Sequence, residues 1–216
     1  MAKYNIEELK NELKEAAKIK EYPERHIKIV LVIKKALADF MIEPILVGGG
    51  AVEFYTMGAY TTGDIDLVAP SGKDIVERLK LFGFEKKGKN FISNKLNIFL
   101  EFPSGSLGPD EKYNELDING EKIRIISIED LIVDRLNAFK WWNSTVDGVN
   151  SLLLLNSRII NINRKQLEIK INAHDLMDAY CGIVEMWKDV QDGKLDIEKA
   201  SQSIAELGRR LKHGNH

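Results

Sequence analysis

Asp64 and Asp66 stand one residue apart in Asp64-Ile65-Asp66-Leu67-Val68, an alternation of polar and apolar residues that reads as a β-strand. Side chains two apart on a strand share a face, so both carboxylates project the same way. Like charges so placed repel unless a cation lies between them. A hard divalent ion with oxygen ligands meets that need, and Mg²⁺ commonly combines one or two carboxylates with the phosphates of a substrate. Upstream, the apolar run Ile45-Leu46-Val47 stops at Gly48-Gly49-Gly50. A buried strand that ends in glycines and opens a helix lets the backbone approach a ligand closely. The N–H groups at such a helix start attract anions, phosphate above all.

These residues need a scaffold, and the rest of the chain supplies the elements for one. Asn5 and Glu8 resemble a capping box, and Ile6, Leu9 and Leu13 continue a first helix to about Lys20. Pro23 suits the first turn of a second helix, whose apolar face runs through Val30, Ile33 and Leu37. Pro44 ends that pattern before the glycine-bounded strand. A short helix is expected over 51–57, with Gly58 as its stop. Ser71 could cap the next helix, with Ile75, Leu79 and Phe82 on its apolar face. Strands are expected over 90–94, 96–102 and 122–126, the last two separated by a loop over 103–110 rich in Gly, Pro and Ser. From Ser127 the pattern is helical, with helices at 146–156, at 164–192 with a break near Asn172, and at 196–211. The expected fold class is α/β, or α+β, with a core over 1–126 that includes the N-terminal helices and a helical region over 127–216.

The joint pattern resembles the signature of the polymerase-β-like nucleotidyltransferase superfamily. It reads Leu46-Val47-Gly48-Gly49-Gly50, then residues 51 to 63, then Asp64-Ile65-Asp66-Leu67. Thr62, two residues before the first aspartate, is also common among small bacterial and archaeal members. The stretch 126–136 resembles the helix after the catalytic sheet in nucleotidyltransferase-like families that include toxins of toxin–antitoxin pairs. Tyr60 departs from the pattern, standing where many relatives carry arginine. The likeness covers roughly residues 40 to 160. It implies a small mixed sheet flanked by helices and a third carboxylate on a later strand, for which Glu101 is the match.

The same resemblance implies a Mg²⁺-dependent enzyme. Asp64, Asp66 and Glu101 would hold metal, and Gly48, Gly49, Gly50 and Thr62 would bind the nucleotide. A nucleoside monophosphate would pass from a nucleoside triphosphate to an acceptor hydroxyl on a small molecule, a tRNA or a protein. An antitoxin partner is part of the implied picture, and the alternative is a catalytically inactive module that binds nucleotide or a partner on the same fold.

The totals agree with a globular protein. Of 216 residues, 44% are hydrophobic and 30% charged, and the net charge is −2, which gives no global attraction to nucleic acid or membrane. The only cysteine is Cys181, which excludes an internal disulfide and a cysteine-based zinc site and suits a cytoplasmic location. No run approaches the ~20 apolar residues of a membrane span. The remaining signals read as ordinary structure. His174-Asp175 is expected at a helix position and Asp130, Asp134 and Arg135 as pairs along one helix. Trp141-Trp142 should pack between helices, Lys86, Lys87 and Lys89 should form a solvated turn, and Cys181 should be a core residue. Arg209, Arg210, Lys212, His213 and His216 are expected in a frayed basic tail.

Overall fold

The computed structural model describes residues 4–70 and 72–213. Ser71 and His216 therefore lie outside the described residues. The chain divides into two compact units, residues 1–127 and 128–216. Among the described residues, no helix is long and apolar enough to cross a membrane.

The first unit opens with α1 (Ile6–Lys18), whose cap is Asn5, with its side chain accepting from the N–H groups of Glu7 and Glu8. Helix α2 (Glu24–Leu37) follows, with Pro23 at the capping position just outside its first turn. A 3₁₀ turn (Ala38–Phe40) leads to β1 (Ile45–Val47). Helix α3 (Gly48–Tyr55) begins at the glycines themselves, three residues earlier than the sequence pattern suggests. Strand β2 (Ile65–Val68) starts after Asp64, and α4 (Lys73–Leu81) connects to the remaining strands.

Those strands are β3 (Glu85–Lys87), β4 (Asn90–Ser93), β5 (Ile98–Glu101), β6 (Tyr113–Ile118) and β7 (Glu121–Ile126). They form one mixed sheet of order β3-β4-β5-β2-β1-β7-β6. Strand β1 is antiparallel to β2 and parallel to β7, and β2 is parallel to β5. Leu46, Leu67, Leu100 and Ile125 bring one apolar face of the four central strands into the core, each no more than 1% exposed. The opposite face is mixed, with the buried Val47, Val68 and Ile126 alternating with the more exposed Asp66, Glu101 and Arg124.

Two strands lie where sequence periodicity gave none. Strand β3 places Lys86 and Lys87 on a sheet edge and not in a turn. Strand β6 is the other edge. Its pairing with β7 closes through Asn119-Gly120, both at positive φ (55° and 83°), the backbone that a tight hairpin turn requires.

The second unit is helical: α5 (Ile128–Trp142), α6 (Thr145–Leu155), α7 (Arg164–Ala173), α8 (Met177–Gln191) and α9 (Ile197–His213). His174-Asp175 lies in the turn between α7 and α8, with Asp175 at φ 54°. The buried Lys140 ties this turn down by donating to the Asp175 carbonyl and to the Asp178 carboxylate. Asp130 pairs with Lys170 of α7, and Arg135 pairs with its neighbour Asp134 and with Asp147 of α6. Trp141 and Trp142 are 50% and 79% exposed, and Cys181 is also exposed, against the packing expected of all three. Helix α9 continues through Arg209, Arg210 and Lys212 to His213, so this basic stretch is helical and not frayed.

Candidate active site

Strand register assembles the site. Asp66 occupies the second position of β2, between the buried Ile65 and Leu67, and so faces away from the core with Asp64 two residues earlier. Glu101 alternates in the same way with the buried Leu100. Parallel pairing sets Asp66 directly beside Glu101, and neighbours in register point to the same side of a sheet. The outcome is a cluster in which one carboxylate oxygen from each of Asp64, Asp66 and Glu101 lies within 4.8 Å of the others. All three side chains are partly exposed.

The antiparallel register of β1 brings the glycines to the same point. Val47 pairs with Asp66, so the chain leaving β1 passes over that carboxylate as it enters α3. Gly49 N–H donates to Asp66 Oδ2 at 3.0 Å. That donor at the helix start is therefore engaged by a carboxylate of the chain itself. Gly48 adopts φ +57°, and a Cβ there would fall 2.1 Å from Asp66 Oδ2. Both the backbone conformation and the room for Asp66 require glycine at this position. A Cβ at Gly49 would meet the Thr62 side chain at 3.0 Å, and one at Gly50 would meet Leu46 at 3.0 Å.

Thr62, expected beside a nucleotide, has its hydroxyl directed at the metal cluster: Oγ1 donates to Asp64 Oδ1 at 2.5 Å. One oxygen of Asp64 and one of Asp66 are thus oriented by neutral donors. Glu101 is oriented by a charge. Lys89 Nζ lies 2.6 Å from Glu101 Oε1, although Lys89 itself is 62% exposed. The hydrogen bond to Glu101, then the attraction of its charge, raises the Lys89 pKa above the usual lysine value. Lys89 lies in the exposed turn between β3 and β4, as expected, but its partner becomes visible only through the pairing of Asn90 with Glu101 across β4 and β5.

The donor set suits a hard divalent cation. Three carboxylates supply oxygen only, they converge from adjacent strands, and Gly49 and Thr62 hold two of them in place. Beside them a cleft of about 410 Å³ runs over β4 and β5, lined by Gly63, Asp64, Asn90, Ile92, Phe99 and Glu101, among others. Phe99 is 39% exposed there, an apolar ring next to the acidic cluster.

The sequence matches no protein-family model and no curated protein. Among solved structures, an antigenic nucleotidyltransferase-like protein from Paracoccidioides brasiliensis is similar at 17% identity and a TM-score of 0.50, over 88% of this chain and 93% of that one. ANT(2'')-Ia in complex with adenylyl-2''-tobramycin is similar at 17% identity and a TM-score of 0.48, over 66% of this chain and 92% of that one. The solution structure of the antibiotic-resistance factor ANT(2'')-Ia gives 16% identity and a TM-score of 0.48, over 68% and 91%. The mixed sheet that carries Asp64, Asp66 and Glu101 is thus a nucleotidyltransferase-like fold.

Proposed function

We propose that the chain is a Mg²⁺-dependent nucleotidyltransferase that moves a nucleoside monophosphate from a nucleoside triphosphate to an acceptor hydroxyl. The observation that carries this reading is the convergence of Asp64, Asp66 and Glu101 beside the glycine turn. Asp64 and Asp66 would hold the cation together with the triphosphate, and Glu101 would share it from the neighbouring strand. A divalent ion bound there supplies positive charge against the phosphate oxygens and makes the acceptor hydroxyl easier to deprotonate.

The protein's own groups account for the rest. The acceptor oxygen forms a new bond to the α-phosphorus as the bond from that phosphorus to the β-phosphate oxygen breaks, and pyrophosphate leaves. The Glu101 carboxylate would receive the hydroxyl proton. Backbone N–H groups at the start of α3 would face the β- and γ-phosphates. The Gly49 N–H, now on Asp66, holds that carboxylate in place as the charge builds up. The cleft over β4 and β5, next to Glu101, would receive the acceptor. The acceptor is a small molecule, a tRNA end or a protein side chain. A tRNA or protein product would fit the toxin role that the sequence resemblance implies, with an antitoxin as partner.

The test is transfer by the wild type and by Asp66→Asn, side by side, with Mg²⁺, labelled nucleotides and a cell extract. Asparagine is nearly isosteric with aspartate but uncharged. Removing one oriented stabilising group typically costs ~10²–10³-fold in rate, and a shared metal ligand should cost at least that. The expected result is an unchanged melting curve and loss of transfer. Equal transfer by both proteins would remove the enzyme assignment from this site. No transfer by a folded wild type would favour a binding module.

A further inference from the structure

An ionisable pair that the proposed chemistry does not use lies buried behind the acidic cluster. Glu53, on α3, is fully buried, and His26, on α2, is 1% exposed. His26 Nδ1 and Glu53 Oε2 share a hydrogen bond at 2.6 Å. Burying a carboxylate is costly unless its oxygens are satisfied, and apolar residues of similar volume often serve stability as well or better. Both oxygens of Glu53 are satisfied, and the second points toward the site. Oε1 accepts the backbone N–H of Thr62 at 3.3 Å. Thr62 in turn donates its hydroxyl to Asp64 Oδ1 at 2.5 Å. A continuous line of hydrogen bonds therefore runs from the core at His26 through Glu53 and Thr62 to Asp64.

The location of Thr62 explains why such a line is useful. Residues 56–64 connect α3 to β2 without regular structure, and they include Met57 and Gly58 at positive φ. A segment of that kind does not fix the orientation of Asp64 through a strand ladder. The Glu53 backbone also holds this connection, because its carbonyl accepts the N–H of Gly58. One buried residue thus fastens the connection at its start and, through Thr62, near its end. The edge-on contact of His26 with Tyr22, with ring centroids 4.8 Å apart, fixes the far end of the line.

We infer that Glu53 and His26 are positioning residues that hold Thr62, and through its hydroxyl Asp64, in the orientation that binds the divalent cation. This inference rests on the metal reading of the cluster given above. It assigns Thr62 a role through Asp64 in place of a direct contact with nucleotide. Groups that orient metal ligands typically change affinity by ~10–100-fold when removed.

The experiment is a Mn²⁺ titration of the full chain, followed by paramagnetic resonance, for the wild type, Asp66→Asn, Thr62→Ser, Thr62→Val, Glu53→Gln and the Thr62→Val/Glu53→Gln double variant, each with a thermal melt. Thr62→Ser keeps the hydroxyl and should bind Mn²⁺ like the wild type. Thr62→Val and Glu53→Gln should each weaken binding about 10-fold or more. Because Glu53 acts through Thr62, the double variant should bind no more weakly than the poorer single variant. Should Glu53→Gln fail to melt cooperatively, His26→Asn takes its place in the cycle. Wild-type affinity in folded Thr62→Val or Glu53→Gln would overturn the inference, as would losses that multiply in the double variant. In either case binding by the wild type and its loss in Asp66→Asn would leave the metal reading standing. A folded wild type that binds no Mn²⁺ would overturn both.

Discussion

Gly48→Ala should separate Gly48 from the two glycines that follow it. Two terms add at this position. A non-glycine residue in the left-handed region costs ~1–2 kcal/mol, and Gly48 sits at φ +57°. The added Cβ would also lie 2.1 Å from Asp66 Oδ2, where contacts under 3.0 Å are essentially never found, so the carboxylate or the helix start must move by about 0.9 Å. Functional constellations tolerate only ~0.5 Å of displacement, and a 1 Å misplacement can cost ~10²-fold in rate. The expected phenotype is a protein that still folds, with a melting temperature lower by several degrees. Transfer should fall about 100-fold and Mn²⁺ affinity should weaken with it. Gly50→Ala is the control, since its Cβ would meet the Leu46 side chain at 3.0 Å and no carboxylate, and the backbone there is not left-handed. The assay pairs a Mn²⁺ titration with a thermal melt for each variant. Gly48→Ala with wild-type affinity and stability would refute the claim that this glycine exists to make room for Asp66.

Lys89→Met should raise the Mn²⁺ affinity of the nucleotide-free protein several-fold, because the lysine ammonium now occupies Glu101 at 2.6 Å and repels an incoming cation. The gain should shrink with added salt, and unchanged affinity at low salt would count against it. Tyr55→Phe should destabilise the first unit by ~1–3 kcal/mol, the cost of leaving a buried polar group unsatisfied. The Tyr55 hydroxyl donates to the Ile126 carbonyl at 2.9 Å and accepts from Asn114 at 3.1 Å, within a fully buried environment. Urea unfolding reads this directly, and a midpoint equal to the wild type would contradict it.

The local parts of the site were legible in the sequence, and the long-range ones were not. Strand alternation predicts Asp64 and Asp66 on one face with no knowledge of neighbours, although Asp64 sits just ahead of β2 and is oriented by Thr62. The position of Glu101 depends on β2 pairing in parallel with β5, a contact between distant segments that no periodicity within either can show. Only the family resemblance pointed to that residue. Edge strand β3 shows no apolar alternation, since an edge needs little: Glu85, Lys86 and Lys87 are all exposed. For β6 a signal was present in Asn119-Gly120, a hairpin dipeptide between two alternating stretches. Glu53 also carries a signal in the sequence, since it interrupts the apolar run Ala51-Val52-Glu53-Phe54-Tyr55. The link from Glu53 to Asp64, by contrast, exists only once the connection over 56–64 has folded back. In the second unit, Trp141 and Trp142 follow the helical pattern of α5 yet emerge exposed at its end, because periodicity does not say where a helix runs out of packing partners.

The central claim is that this site transfers the α-phosphate of a nucleoside triphosphate. The measurement that tests it most directly is incubation of the protein with Mg²⁺, a cell extract and nucleoside triphosphates labelled in parallel at the α- or the γ-phosphate, with Asp66→Asn alongside. The account predicts that α-label becomes attached to an acceptor while γ-label appears only in pyrophosphate, and that neither occurs with Asp66→Asn. Attachment of γ-label to the acceptor, or equal attachment of α-label by Asp66→Asn, would contradict it.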